Sequence, residues 1–171
     1  MKNKGNNVLR KIFTEDQKAR KNIPGGQQPA SVWNKISAAD EKRRKQVASI
    51  MSTGANFTTK DYYYAAMIFQ HGDYMEEYKT AKRYAKQSMD MGYDAAKWLY
   101  AAATDRLLRA QGKKQKFGTQ YVFGYLKEDN VWYEALLLQP YDKRTTDVAR
   151  AKYNVPPLAE LQKKETRKIW R

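Results

Sequence analysis

One histidine, His71, lies in the segment Gln70-His71-Gly72-Asp73 and is the only imidazole of the chain. Acid–base work by an imidazole needs a partner within hydrogen-bond reach. The segment Thr104-Asp105-Arg106 offers one by type. Asp105 would orient the ring and hold its tautomer, as a carboxylate does behind a catalytic histidine. Arg106 beside it would grip a phosphate or carboxylate by two parallel hydrogen bonds. A third segment, Gly112-Lys113-Lys114-Gln115-Lys116-Phe117-Gly118-Thr119-Gln120, offers backbone N–H groups at a glycine turn, a hydroxyl and amides. His71 and Asp105 are therefore the candidate catalytic residues. Arg106, Gln115, Gly118, Thr119 and Gln120 are the candidate ligand-binding set. Each also has a purely structural reading: His71 capping a helix C-terminus, Asp105 and Arg106 forming an ion pair, Gly118 shaping a tight turn.

The elements that must position these residues are mostly helices. Val8 to Arg20 has Val8, Leu9, Ile12 and Phe13 on one stripe. The run Asn22-Ile23-Pro24-Gly25-Gly26-Gln27-Gln28-Pro29 breaks the chain. Trp33 and Ile36 are expected to anchor a loop before a helix capped by Ser37, with Asp40 and Glu41 in its first turn. That helix has Val47, Ile50 and Met51 as its apolar stripe and Lys42-Arg43-Arg44-Lys45 on its solvent side. Three more helices follow over Asp61–Gln70, Tyr74–Met91 and Tyr93–Ala110. Thr58 or Thr59 caps the first, and Gly72, Gly92 and Gly112 end them. Connections of two or three residues predict antiparallel neighbours. Ala65-Ala66 and Ala95-Ala96 echo one another, which suits stacked hairpins of the tetratricopeptide or Sel1 kind, but no third copy makes an array.

After Gly118 the chain becomes rich in β-formers. Tyr121–Leu126 and Val131–Leu138 flank the polar turn Lys127-Glu128-Asp129-Asn130 and predict a β-hairpin. Thr145 or Thr146 caps a short helix through Lys152, and Pro157 opens a last helix to Lys168. The fold class is mainly α: antiparallel helical hairpins with a small C-terminal β-hairpin. Residues 1–30 are a basic extension with a short helix, 31–161 the helical domain, and 162–171 a basic tail.

Composition narrows the function. Without cysteine there are no disulfides or thiolate sites, and one histidine excludes a multi-histidine metal centre. No metal and no cofactor is expected. No apolar run reaches bilayer length and no secretory signal is apparent, so a cytoplasmic or otherwise intracellular setting is expected. The formal charge of +15 is uneven. Residues 1–60 carry 13 Lys and Arg against 4 Asp and Glu, 61–110 carry 7 against 7, and 111–171 carry 13 against 7. A neutral centre between cationic ends suits nucleic acid or an acidic protein surface as partner. The contacts would come from Lys42, Arg43, Arg44, Lys45, Lys113, Lys114, Lys116, Lys163, Lys164, Arg167 and Lys168. The aromatic and basic residues of Lys113–Lys127 fit single-stranded nucleic acid by type. The competing expectation is a hairpin with core-facing aromatics and solvated lysines.

Gln70-His71-Gly72-Asp73, Asp105-Arg106 and the Gly112–Gln120 segment resemble the signatures of the uncharacterised bacterial domain-of-unknown-function family 6624. Gln139-Pro140-Tyr141-Asp142, Val148 with Arg150, and Val155-Pro156-Pro157-Leu158 are similar to that family's closing pattern. Asp16-Gln17 with Arg20 and the stretch Asp40–Arg44 resemble its opening. The likeness runs from about Asp16 to Leu161, with Phe117 where the family more often has tyrosine and with a lysine content the family does not imply. It implies a helical domain and no established activity. Two functions follow from the sequence: a basic helical binding module within a larger assembly, ranked first on charge, and a small enzyme acting on a polar or anionic substrate.

Overall fold

The computed structural model describes residues 5–21 and 29–169. The Asn22–Pro29 break, apart from Pro29, and the first four residues of the basic extension lie outside the described residues. Five longer helices come first: α1 (Asn7–Lys21), α2 (Ala30–Met51), α3 (Thr59–Gln70), α4 (Met75–Asp90) and α5 (Ala95–Ala110). Strands β1 (Tyr121–Glu128) and β2 (Val131–Leu138), short helices α6 (Asp147–Ala151) and α7 (Leu158–Gln162), and strand β3 (Thr166–Ile169) complete the chain.

The α3–α4 and α4–α5 pairs are the most closely packed helix pairs, as expected of hairpins with short connections. Alanine allows this closeness. Ala66 of α3, Ala85 of α4 and Leu99 of α5 form one fully buried cluster. Leu9 and Ile12 of α1, Val47 of α2 and Ile68 and Phe69 of α3 form a second core. The N-terminal helix is thus packed into the domain. Its start is tied down by Asp61, whose carboxylate accepts the Asn6 amide at 2.8 Å and the Thr58 amide at 2.8 Å. Thr58 caps α3 in a reciprocal capping box with the same Asp61.

Three expectations need correction. α2 begins at Ala30, just after Pro29, so Ser37 is not its cap and Trp33 and Ile36 are helical. Nothing between Pro29 and Ser37 breaks a helix, and the first turn simply starts earlier. The last helix ends at Gln162, and Thr166–Ile169 of the basic tail pairs antiparallel with β2, Leu136 opposite Thr166 and Tyr133 opposite Ile169. The hairpin is therefore the larger part of a three-stranded antiparallel sheet ordered β1-β2-β3. Its turn is tighter than the four polar residues suggested. Glu128 already pairs with Val131, leaving Asp129 (φ 48°) and Asn130 (φ 62°) as a two-residue loop. Positive φ at both positions is the geometry a twisted hairpin prefers, and Asp and Asn tolerate it.

A third cluster joins the sheet side to the helices. Ala101 of α5 packs with Phe117, Val155 and Leu161, so the loop after α5 and the C-terminal segments share one core. Replacing Asp61 by Ala should remove the α3 cap and the α1 anchor together, at a cost of about 2–3 kcal/mol for a buried charged acceptor. Urea unfolding of Asp61→Ala against the parent chain measures this, and a cost below about 0.5 kcal/mol would contradict the anchor.

Candidate functional site

His71 and Asp105 are each committed to a different carboxylate network. His71 is the residue that ends α3, and its Nδ1 lies 3.2 Å from Asp16 Oδ2 on α1. A carboxylate only accepts, so Nδ1 carries the proton. Asp16 is 1 % exposed and also takes Arg20 at 2.6 Å and the Gln17 amide at 2.8 Å. Arg20 reaches across to Asp40 of α2 at 2.5 Å, and Arg43 closes the loop on Asp40 at 2.8 Å. Burial pushes the Asp16 carboxyl up, but His71, then Arg20 and Gln17, outweigh it and hold the group below its ordinary value.

Asp105 is not the orienter of His71. Its side chain is fully buried, and it collects the loop that follows α5. One carboxylate oxygen accepts the Lys116 amide at 2.6 Å and the Phe117 amide at 2.9 Å; the other takes the Thr119 amide at 3.0 Å and the Thr119 hydroxyl at 2.8 Å. Four donors fill the lone pairs a carboxylate has to offer. The loop completes itself through Gln115, which is fully buried. Its side-chain amide donates to Gln120 O and Gln139 O, and its carbonyl oxygen accepts the Gln120 amide. Gly118 sits at φ 87°, with Leu161 against the space a Cβ would need. Arg150, 1 % exposed, donates to Phe117 O and Thr145 O and pairs with Asp147. Gln115, Gly118 and Thr119 thus hold the loop's shape.

Arg106 and Gln120 are placed differently. Both line a cleft of ≈ 360 Å³ together with Asp73, Tyr78, Arg109 and Gln139. Each of the three polar segments therefore sends one residue to the same cleft: Asp73 from the first, Arg106 from the second, Gln120 from the third. Asp105 and Arg106 do not pair; Asp105 faces the loop and Arg106 the cleft. Arg109, hydrogen-bonded to Gln139, escaped the sequence reading, and Gln139 entered it only within the closing pattern and not as a site residue. A signal for Arg109 existed, since it lies one helical turn from Arg106 on α5.

The basic residues separate into two kinds. Arg43 and Arg44 do not face solvent as a basic stripe would. Arg43 serves Asp40, and Arg44, 5 % exposed, donates to His71 O at 3.0 Å and pairs with Glu77 at 2.6 Å. Asp40, Arg44 and Val47 share the inward face of α2 at helical spacing, which explains the turn inward. Lys42 and Lys45 are exposed, Lys45 pairing with Glu41. Lys113, Lys114 and Lys116 line a second, larger cleft of ≈ 630 Å³ with Lys143 and Arg144. Its one carboxylate, Asp142, is held down to about 2 by hydrogen bonds from Arg144, which it occupies. Among the described residues none of these four lysines has an ion-pair partner. Lys163, Lys164 and Lys168 are exposed, and Arg167 meets Glu128 at 3.0 Å.

The sheet overturns the expectation of core-facing aromatics. Phe123, Tyr125 and Trp132 are 40 %, 39 % and 45 % exposed. The register puts them on one face: Tyr125 is opposite Glu134, which is opposite Lys168, and Trp132 is opposite Lys127. No helix among the described residues is long and apolar enough to cross a membrane.

No protein-family model, no curated protein and no solved structure matches this chain.

Two outcomes test the networks. Asp105→Asn leaves loop amides unpaired in a buried site and should cost about 3 kcal/mol. Amide hydrogen exchange at Phe117 and Thr119 should rise with it, and protection equal to the parent's would refute the clamp. Because the Asp16 pKa is lowered on folding, its contribution is complete above the unfolded value of about 4 and is lost as pH falls through the folded value. The urea midpoint of the parent chain should therefore drop below pH 4 more steeply than that of Asp16→Asn.

Proposed function

We propose that this protein is a nucleic-acid-binding module that holds a single strand on the exposed face of its C-terminal sheet. The observation that carries this is the solvent-facing trio Phe123, Tyr125 and Trp132 with Lys127 and Lys168 on the same face. Large aromatics are rarely left in water on a sheet without a use, and bases stack on such rings whatever their sequence. Lys127 lies 5.9 Å from the Trp132 ring centroid, close enough to meet a phosphate while the indole meets a base. Lys113, Lys114 and Lys116 stand in the loop that runs directly into β1 and add unpaired positive charge. The overall charge of +15 draws a polyanion to the chain from a distance.

The chemistry predicts backbone attraction and stacking, with little base specificity, because every base offers a π-face to an aromatic ring. Arg43, Arg44 and Arg167 have no part in it, being held by carboxylates of the chain itself. Kinship with family 6624 is proposed on its motifs, supported by the meeting of the three polar signatures at one cleft.

Fluorescence anisotropy of a labelled single-stranded oligonucleotide tests the reading. Affinity should fall with salt at a slope of roughly −0.7 per phosphate contacted, and Trp132→Ala should cost about 1–3 kcal/mol of binding. Replacing Lys113, Lys114 and Lys116 by Gln should flatten the salt slope by about 2. Binding that ignores salt, or a Trp132→Ala variant as tight as the parent, would overturn it.

A further inference from the structure

The cleft between α5 and the start of β1 carries chemistry that strand binding on the sheet does not use. Arg106 makes no hydrogen bond or ion pair among the described residues, and its Nε is buried without an acceptor. A guanidinium has five N–H donors in a planar fork, and one left without an acceptor beside a cleft calls for an acceptor from outside. Arg109 lines the same cleft. Its Nε is fixed by Gln139, which leaves its terminal nitrogens for a ligand. Gln120 spends its amide hydrogens on Thr119 Oγ1 and Ala102 O, so its carbonyl oxygen remains an acceptor. Asp73, with a side chain 60 % exposed, adds a carboxylate, its nearest guanidinium being Arg44 at 3.6 Å.

We propose that this cleft binds a small organic oxyanion, its phosphate or carboxylate gripped by Arg106 and Arg109 and its hydroxyl or amino groups received by Gln120 and Asp73. Two guanidiniums one helical turn apart on α5 match the planar, bidentate recognition that phosphate and carboxylate favour. The walls are pre-built. Gln120 is held by Gln115 and the Asp105 clamp, and Gly72-Asp73 by Glu77 and the Tyr78 hydroxyl, which donates to Gly72 O at 2.8 Å. A volume of ≈ 360 Å³ suits a small molecule and is too small for a folded partner. The acceptors matter as much as the arginines. Free inorganic phosphate would satisfy the arginines and offer Gln120 and Asp73 only its own P–OH, whereas a sugar phosphate or a hydroxy or amino acid brings a separate hydroxyl or amino donor to them.

The full chain is titrated with inorganic phosphate, ribose 5-phosphate and malate while the arginine Nε–H signals are followed by NMR. Ribose 5-phosphate or malate should shift the Arg106 Nε–H signal with a Kd of about 1 mM or tighter, and the tighter of the two identifies the headgroup. Arg106→Gln should weaken that binding at least tenfold and leave oligonucleotide affinity unchanged, and Arg106→Lys should also weaken it, since an ammonium lacks the fork. The triple lysine replacement at 113, 114 and 116 should leave it intact. The proposal falls if neither organic probe moves the Arg106 signal, or if both bind no tighter than inorganic phosphate. It falls equally if Arg106→Lys, with its thermal transition preserved, binds like the parent. Because the oligonucleotide assay is separate, failure here leaves strand binding standing, and the reverse.

Discussion

The side chain of Asp105 is the constraint on which the C-terminal half of the structure depends. A fully buried carboxylate is tolerable only if its lone pairs are filled, and the Lys116, Phe117 and Thr119 amides with the Thr119 hydroxyl fill them. That requirement winds the chain after α5 around one point. Phe117 is thereby driven into the core with Val155 and Leu161, Gln115 is enclosed, and Gln120 is delivered to the edge of the cleft. Arg150 locks the outside of the same loop through Phe117 O. Residues that look like a ligand cradle by type are mostly the means by which the cradle's wall is made.

A comparable economy of charge governs the N-terminal half. Asp16, Asp40, Arg20 and Arg43 knit α1 and α2 by ion pairs that are largely removed from water, and His71 joins the end of α3 to them by its hydrogen bond to Asp16. Removing either carboxylate would leave arginines without their partner in a site largely out of water, which is why such a set is kept or lost together. Its effect is to hold the turn His71–Asp73 at a fixed position. Arg44 adds to this by binding His71 O and Glu77 at once, and Glu77 in turn receives the Asp73 and Tyr74 amides. Glu77 packs so close to Gly72 that a Cβ there would lie 2.6 Å from its own, leaving no room for any other residue type. Asp73 therefore reaches the cleft from a rigid turn, as Gln120 does from the other side.

The division of positive charge follows from this. The arginines of α2 are mainly structural, because a planar fork bonded to a carboxylate can be buried at tolerable cost. The lysines remain outside, where a hydrated ammonium on a flexible stem belongs. Arg106 and Arg109 are the departure from this pattern: half-buried arginines turned to a cleft instead of a carboxylate. Exposed aromatics on the sheet depart in the opposite direction, as apolar surface left in water. Sites of function are expected where such local rules are broken.

Much of the fold was legible in the sequence. The glycines at 54, 92 and 112, the cap at Thr58 and the alanine-rich stripes of α3, α4 and α5 are local signals, and local backbone preference and periodicity suffice to place those helices. The Tyr121–Leu138 hairpin was equally readable. Residue types also singled out Asp73's segment, Arg106 and Gln120 as candidates. What they could not decide is which of two adjacent residues turns to a ligand and which to the chain. Asp105 and Arg106 are consecutive, and only the packing of α5 against the loop sends one inward and the other to the cleft. Likewise His71's partner is Asp16, 55 positions away, and β3 exists only because β2 offers a free edge. Such choices rest on long-range complementarity of charge and of unpaired backbone groups, which has no local signature and is settled only when the elements meet.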